Sequence, residues 1–205
     1  MQRPDEGTQS GANNQQDSDQ TGIDQKRPGG KVHERKATMR SDERQMRSAG
    51  SVVLAIRVIT VGKRHEAWVS EGIERFLKRL KKPYDTQFVF VPHATATEQR
   101  SRQEESAAIE KQLRPSDYVI LLDERGKDFT SPQLARHLQQ LFDTARHPTF
   151  IIGGAYGVND QLRARANTVW SLSNLVFPHQ LVRLLVVEQV YRAQEISAGR
   201  PYHHQ

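Results

Sequence analysis

Three stretches in the second half of the chain carry residues whose types and spacing suit chemistry, and each follows or forms a structural element. LLDERGKDFTS closes a strand at Leu122 and Asp123 and continues into a turn at Gly126 and Lys127. IIGGAYG leaves the backbone bare at Gly153 and Gly154 and permits torsion angles closed to other residues. WSLSNLVFPH is a largely apolar loop, running through Leu172, Ser173, Asn174, Leu175, Val176 and Phe177, with free main-chain groups before Pro178. Ligands of open α/β sheets bind outside the carboxyl ends of the strands, so these three ends together predict one pocket. Its polar contacts would come mostly from main chain, which suits an adenine ring and its ribose. The glycines match neither G-x-G-x-x-G nor the P-loop, which disfavours a dinucleotide-binding dehydrogenase or an NTPase. Taken alone, the Gly pair reads as either a tight turn or a ligand cradle.

The last helix, over about 180–197, is the second informative element. Glu188, Arg192 and Glu195 share one face by their i, i+4 and i+7 spacing. Val182, Val186, Val190 and Ala193 form an apolar stripe on another face, with further leucines beside it, so the helix is expected between the sheet and a second subunit. From spacing alone, Glu188 and Arg192 are either catalytic or an ordinary intrahelical ion pair worth about 0.3–0.5 kcal/mol. The terminal GRPYHHQ gathers Arg200, Tyr202, His203 and His204, of which Arg and Tyr can hold a phosphate and stack on a base. Two adjacent histidines without a third placed ligand make a poor metal site, and no metal is expected. His179 is a candidate proton acceptor, or equally a capping or structural histidine.

The positioning elements follow from periodicity. Strands are predicted over 52–62, 87–92, 117–127 and 149–158, with a fifth extended segment over 168–178. Helices are predicted over 65–82, 101–113, 131–142 and 159–166, the third with a Ser131 cap and a proline at its first position. Strands alternating with helices imply an α/β fold, a mostly parallel sheet with helices on both faces.

Composition is split along the chain. Residues 1–50 are rich in Gln, Asn, Asp, Ser, Gly and Arg and nearly devoid of large apolar side chains. Such a block cannot bury enough surface to offset the entropy of ordering it, and is expected as a disordered polar extension to a domain over 51–205. It reads as an RNA-attracting arm or as the product of an upstream start, since Met39 and Met46 lie just before the domain. Its acidic residues argue against a transit peptide. The net charge of +6 favours a polyanionic partner. With no cysteine, disulfides and thiolate chemistry are excluded. No apolar run approaches membrane-spanning length and no secretory signal opens the chain, so a cytoplasmic location with no membrane association is expected.

The stretch from Val58 to His203 resembles the ribosomal large-subunit pseudouridine methyltransferase H (RlmH) family of SPOUT methyltransferases. The likeness rests on VGK at Gly62, LDERGKDFTSPQLA from Leu122, FIIGGAYG from Phe150, and WSLSNLVFPHQLVRLLVVEQVYRAQEISAGRPYH from Trp170. It implies a C-terminal trefoil knot, a homodimer, and S-adenosyl-L-methionine held by Leu122, Gly153 or Gly154, and Leu172 to Phe177. It implies as substrate the N3 atom of a pseudouridine in 23S rRNA of the assembled ribosome. Glu188, Arg192, Tyr202 and His203 match the substrate-side positions, Arg192 and His203 being suited to anion stabilisation and proton handling. His204 stands where the family commonly has a basic residue. Transfer to tRNA, or a ribosome-binding role without turnover, are the alternatives.

Overall fold

A computed structural model describes residues 56–202. Expectations for the polar block 1–50, for residues 52–55 of the first strand and for His203 and His204 lie outside the described residues. Five strands form a wholly parallel sheet: β1 (Ile56–Val61), β2 (Thr86–Val91), β3 (Asp117–Asp128), β4 (His147–Ile152) and β5 (Thr168–Ser171), in the order β2-β1-β4-β3-β5. Five helices connect or succeed them: α1 (Ala67–Leu77), α2 (Glu98–Glu110), α3 (Ser131–Asp143), α4 (Asp160–Arg165) and α5 (His179–Ser197).

The central strands are apolar on both faces, as helix-covered parallel strands must be. Ile56, Val58, Ile120, Phe150 and Ile152 point one way and pack on α3 and α5 through Leu134, Leu138, Val186 and Val190. Ile59, Val61, Val119, Leu121 and Ile151 point the other way, onto Ile109 of α2 and Leu162 of α4. The period of two along each strand thus sorts the helices to opposite faces.

The structure corrects three local expectations. β3 fills its expected span and runs to Asp128, so Gly126 and Lys127 lie within the strand and not in a turn, its register shifting between Leu122 and Lys127 so that it pairs β5 twice. Gly126 belongs to that irregularity, because a Cβ there would stand 2.7 Å from backbone atoms of Val169 and Trp170. The fifth extended segment is regular only over Thr168–Ser171, and residues 172–178 form a loop. Helix α3 is capped by Thr130, not Ser131, in a reciprocal capping box with Gln133. Only the extended residue one step earlier presents its side chain to the free N–H groups.

At the amino ends of the strands a charge is buried. The Arg57 guanidinium donates to Asp117 Oδ2 at 2.8 Å and to the Gln112 carbonyl at 2.9 Å, and the Arg114 N–H donates to the same carboxylate oxygen. The side chain of Asp117 is fully buried and that of Arg57 is 9% exposed. Desolvation lowers the Arg57 pKa, and the facing carboxylate opposes that shift. Removing one partner of such a pair strands the other, so Asp117→Ala should lower unfolding free energy by about 3–5 kcal/mol. In equilibrium urea unfolding the double replacement R57M/D117A should recover most of that loss. A single mutant as stable as the parent would show that the pair carries no such strain.

Candidate active site

The carboxyl ends of β3, β4 and β5 open into a cavity of about 390 Å³, within the range of small-molecule sites. Of the nine residues expected to hold a cofactor, eight line its wall: Leu122, Gly153, Gly154, Leu172, Ser173, Leu175, Val176 and Phe177. Asn174 does not; it is exposed at the crest of the loop. The loop 172–177 is folded by short local bonds, Ser171 Oγ donating to the Ser173 carbonyl and Leu175 N–H to Ser173 Oγ. Those bonds leave the apolar side chains of Leu175 and Val176 largely exposed.

The glycine loop is explained by crowding, not by torsion. Neither Gly153 nor Gly154 has a positive φ; Gly157, where the turn closes, does. A Cβ on Gly154 would overlap Glu105 Oε2. Glu105, from the polar helix α2, is 2% exposed, and its Oε1 accepts from His93 Nδ1 at 2.8 Å and from Ala94 N–H at 3.0 Å. Oε2 has no partner among the described residues. The same helix fastens the loop elsewhere: Arg102 donates to the Tyr156 carbonyl, and Ser106 Oγ and Gln103 accept from Asn159. Nothing in the sequence marked Glu105, since a glutamate on a polar helix reads as solvated.

Asp123, beside Leu122 in the wall, is held by Arg125 and Arg163. Desolvation pushes its pKa up, but the hydrogen bonds and charges of the two guanidinium groups outweigh it, and the carboxyl sits below its ordinary value. It is therefore ionised at neutral pH.

The candidate substrate-side residues assemble apart from the cavity. Arg192 pairs with Glu188 at 2.6 Å, its guanidinium lies 4.9 Å from the Tyr202 ring centroid, and Tyr202 Oη donates to Glu188 Oε1 at 3.3 Å. Burial, and then the Glu188 charge, raise the Tyr202 pKa. The intrahelical pair foreseen from spacing is therefore formed, and it also holds the tail. Glu195 does not join it, turning instead to Arg200 at 2.6 and 2.7 Å. None of Glu188, Arg192 or Tyr202 lines the cavity, and His203 lies outside the described residues.

Apolar walls, bare main chain and an ionised carboxylate at one side fit an adenosine moiety with a short charged tail. Among the described residues no group of three potential metal ligands occurs, and no helix is long and apolar enough to cross a membrane. Fold and site together define a parallel α/β domain with a small-molecule-sized cavity at the carboxyl ends of its strands.

A family model described as predicted SPOUT methyltransferase matches residues 54–203. The ribosomal RNA large subunit methyltransferase H of Desulfitobacterium hafniense is 39% identical over 159 residues, covering 74% of this chain and 99% of that protein. The protein of the same name from Gloeobacter violaceus is 40% identical over 152 residues, with the same coverage. Among solved structures, the SpoU methyltransferase AviRb from Streptomyces viridochromogenes in complex with AdoMet matches 72% of this chain and 60% of its own, at TM-score 0.38 and 14% identity. That likeness is too loose to bear on the site. The chain belongs to the SPOUT methyltransferases, among the relatives of ribosomal RNA large subunit methyltransferase H. It is an enzyme whose methyl donor is S-adenosylmethionine.

Because Glu105 fills the space behind Gly154, Gly154→Ala should cost about 1–3 kcal/mol by overpacking. Binding of S-adenosylhomocysteine, measured by calorimetry, should weaken with it. Withdrawing the carboxylate by one methylene in G154A/E105D should restore part of both. A G154A protein that melts and binds like the parent would remove Glu105 as the reason for glycine here.

Proposed function

We propose that the protein methylates N3 of a pseudouridine in 23S rRNA, acting on the assembled ribosome as a cytoplasmic homodimer. The observation that carries this reading is the cavity: its wall unites Leu122, the Gly153–Gly154 loop and the 172–177 loop in a chain about 40% identical to relatives named for large-subunit rRNA methylation. The net charge of +6 suits a polyanionic target.

The donor supplies a methyl group already activated on sulfonium. The chain's own task is then to align an in-line attack by N3 and to handle the charge and proton of that nitrogen. Leu122, the glycine loop and the 172–177 loop hold and orient the adenosine part while excluding water. Arg192 and His203 are the residues assigned to the target base, and Arg192 is oriented by Glu188 and Tyr202. In a single subunit Glu188, Arg192 and Tyr202 stand off the cavity wall, which supports a site completed by the tail and α5 of a second subunit. The exposed Leu175 and Val176 on the cofactor loop are suited to being covered by that subunit. In this reading the 172–177 loop belongs to a trefoil knot, and residues 1–50 are an extension outside the catalytic domain.

Labelled methyl from S-adenosylmethionine should appear in assembled ribosomes lacking the modification, at a 23S pseudouridine, and not in separated subunits or tRNA. Label in tRNA alone would replace the target, and cofactor binding with no transfer to any RNA would make this a ribosome-binding protein. Deleting residues 201–205 should abolish transfer while leaving S-adenosylhomocysteine binding in place; unchanged methylation would sink the shared site.

A further inference from the structure

The proton of the reaction has two histidine candidates as acceptor, His203 of the tail, which the family resemblance suits to proton handling, and His179 at the cavity wall. The imide N3–H of the target must be lost as the N3 electron pair forms its bond to the methyl carbon. The carbon–sulfur bond breaks in the same step and its electrons go to sulfur. Six titratable side chains line the cavity: Glu98, Asp123, Glu124, Arg125, Tyr156 and His179. Asp123 and Arg125 are bound to each other, which lowers the pKa of the first and raises that of the second, so neither is a useful base. Glu98 is committed to Arg102 at 2.7 Å on an exposed helix turn. Glu124 and Tyr156, exposed as His179 also is, belong to side-chain classes, carboxylate and phenol, whose ordinary acidity is far from the neutrality that favours proton transfer.

His179 differs from all of these. It is the first residue of α5, immediately after the cofactor loop and Pro178, so a rigid helix turn and not a mobile segment sets its place. It makes no hydrogen bond among the described residues, unlike His93, whose Nδ1 is committed to Glu105. The histidines at 65 and 137 each have a ring nitrogen buried without a partner and do not line this cavity. No structural duty therefore accounts for an imidazole at 179.

We infer that His179 is the general base of the methyl transfer, taking the N3 proton of the target pseudouridine onto a free ring nitrogen at the cavity wall. The assignment rests on the function proposed above. The charges around His179 support it. Burial against the wall is the largest cause lowering its pKa, although the residue keeps exposed area at the cavity mouth. Arg183, one turn along α5, and His93, beyond β2, lower it further, and Glu105 of α2 raises it. The helix amino terminus acts in the same direction as Arg183. Together they keep the ring neutral near pH 7, the form that accepts a proton. Glu105, which opposes the lowering of the His179 pKa, favours the imidazolium formed in the step.

The test is single-turnover methyl transfer to ribosomes lacking the modification, across pH 5.5–9 (about two units either side of neutrality), with the parent and with H179N and H179F. Parent rates should rise with unit slope through the lowered His179 pKa and be flat above neutrality. At pH 7 the variants should fall about 10²-fold or more, within the usual worth of a general base. Their rates should climb with unit slope throughout, as hydroxide takes over, so that the deficit shrinks at high pH. Added imidazole should rescue H179N in a concentration-dependent way. Affinity for S-adenosylhomocysteine and the melting temperature should stay close to the parent's. Variants that keep the parent's rate and pH profile would overturn the assignment. So would variants whose rate loss follows lost cofactor affinity with the plateau retained, since His179 would then only bind. A parent protein that transfers no methyl to ribosomes would instead remove the proposed function, and this assignment with it.

Discussion

The structure hinges on a buried guanidinium that forms no salt bridge with a carboxylate among the described residues. Arg183 of α5 is 2% exposed and reaches across to the end of β1, donating to the Val61 carbonyl at 2.7 Å, to Thr60 Oγ1 at 3.1 Å and to the Lys63 carbonyl at 3.3 Å. Burying such a charge is costly unless its donors are filled, and here neutral oxygens at the strand's carboxyl end fill them. Desolvation still lowers its pKa, with Glu66 opposing. Gly62, with φ +111°, turns the chain beside it, and a Cβ there would stand 3.2 Å from an Arg183 nitrogen. The bond set therefore ties the first strand to the first turn of the last helix. That turn carries His179 and Val182 into the cavity wall, so the loop between β5 and α5 is anchored at both ends.

A second constraint acts from the opposite face of the sheet. Helix α2, a polar helix in sequence, supports the glycine loop through Arg102, Gln103, Glu105 and Ser106. Its buried carboxylate sits where a side chain on Gly154 would have to go. The cavity is thus shaped from behind by a charged group and from above by an apolar loop. The groups suited to an RNA base lie elsewhere, on the outer part of α5 and in the tail, locked together by Glu188, Arg192 and Tyr202. This separation within one subunit is the physical argument for a composite site.

Much of this was legible in the chain. The parallel α/β sheet follows from apolar β-branched runs alternating with amphipathic segments, because burial on both faces leaves a pattern that composition alone reveals. The cavity wall was legible too, since strand ends in such sheets are the places where backbone is left bare. Eight of the nine residues read as cofactor contacts indeed share one wall. Glu105 and Arg183 were not legible: a polar residue on a helix looks the same in sequence whether it faces water or a glycine more than forty residues away. The register shift within β3 was hidden for a related reason, as the second pairing with β5 depends on an irregularity that no local propensity encodes.

By itself, then, the sequence determined the class of fold, the strand ends that make the pocket and the family to which the chain belongs, because periodicity and glycine-rich strand ends are local properties. Tertiary structure alone decided which charges are buried, that Glu195 turns to Arg200 instead of Arg192, and that the Glu188–Arg192–Tyr202 cluster stands clear of the cavity. Those outcomes depend on distances between residues far apart in the chain, and on which polar groups lose their water when the helices close on the sheet.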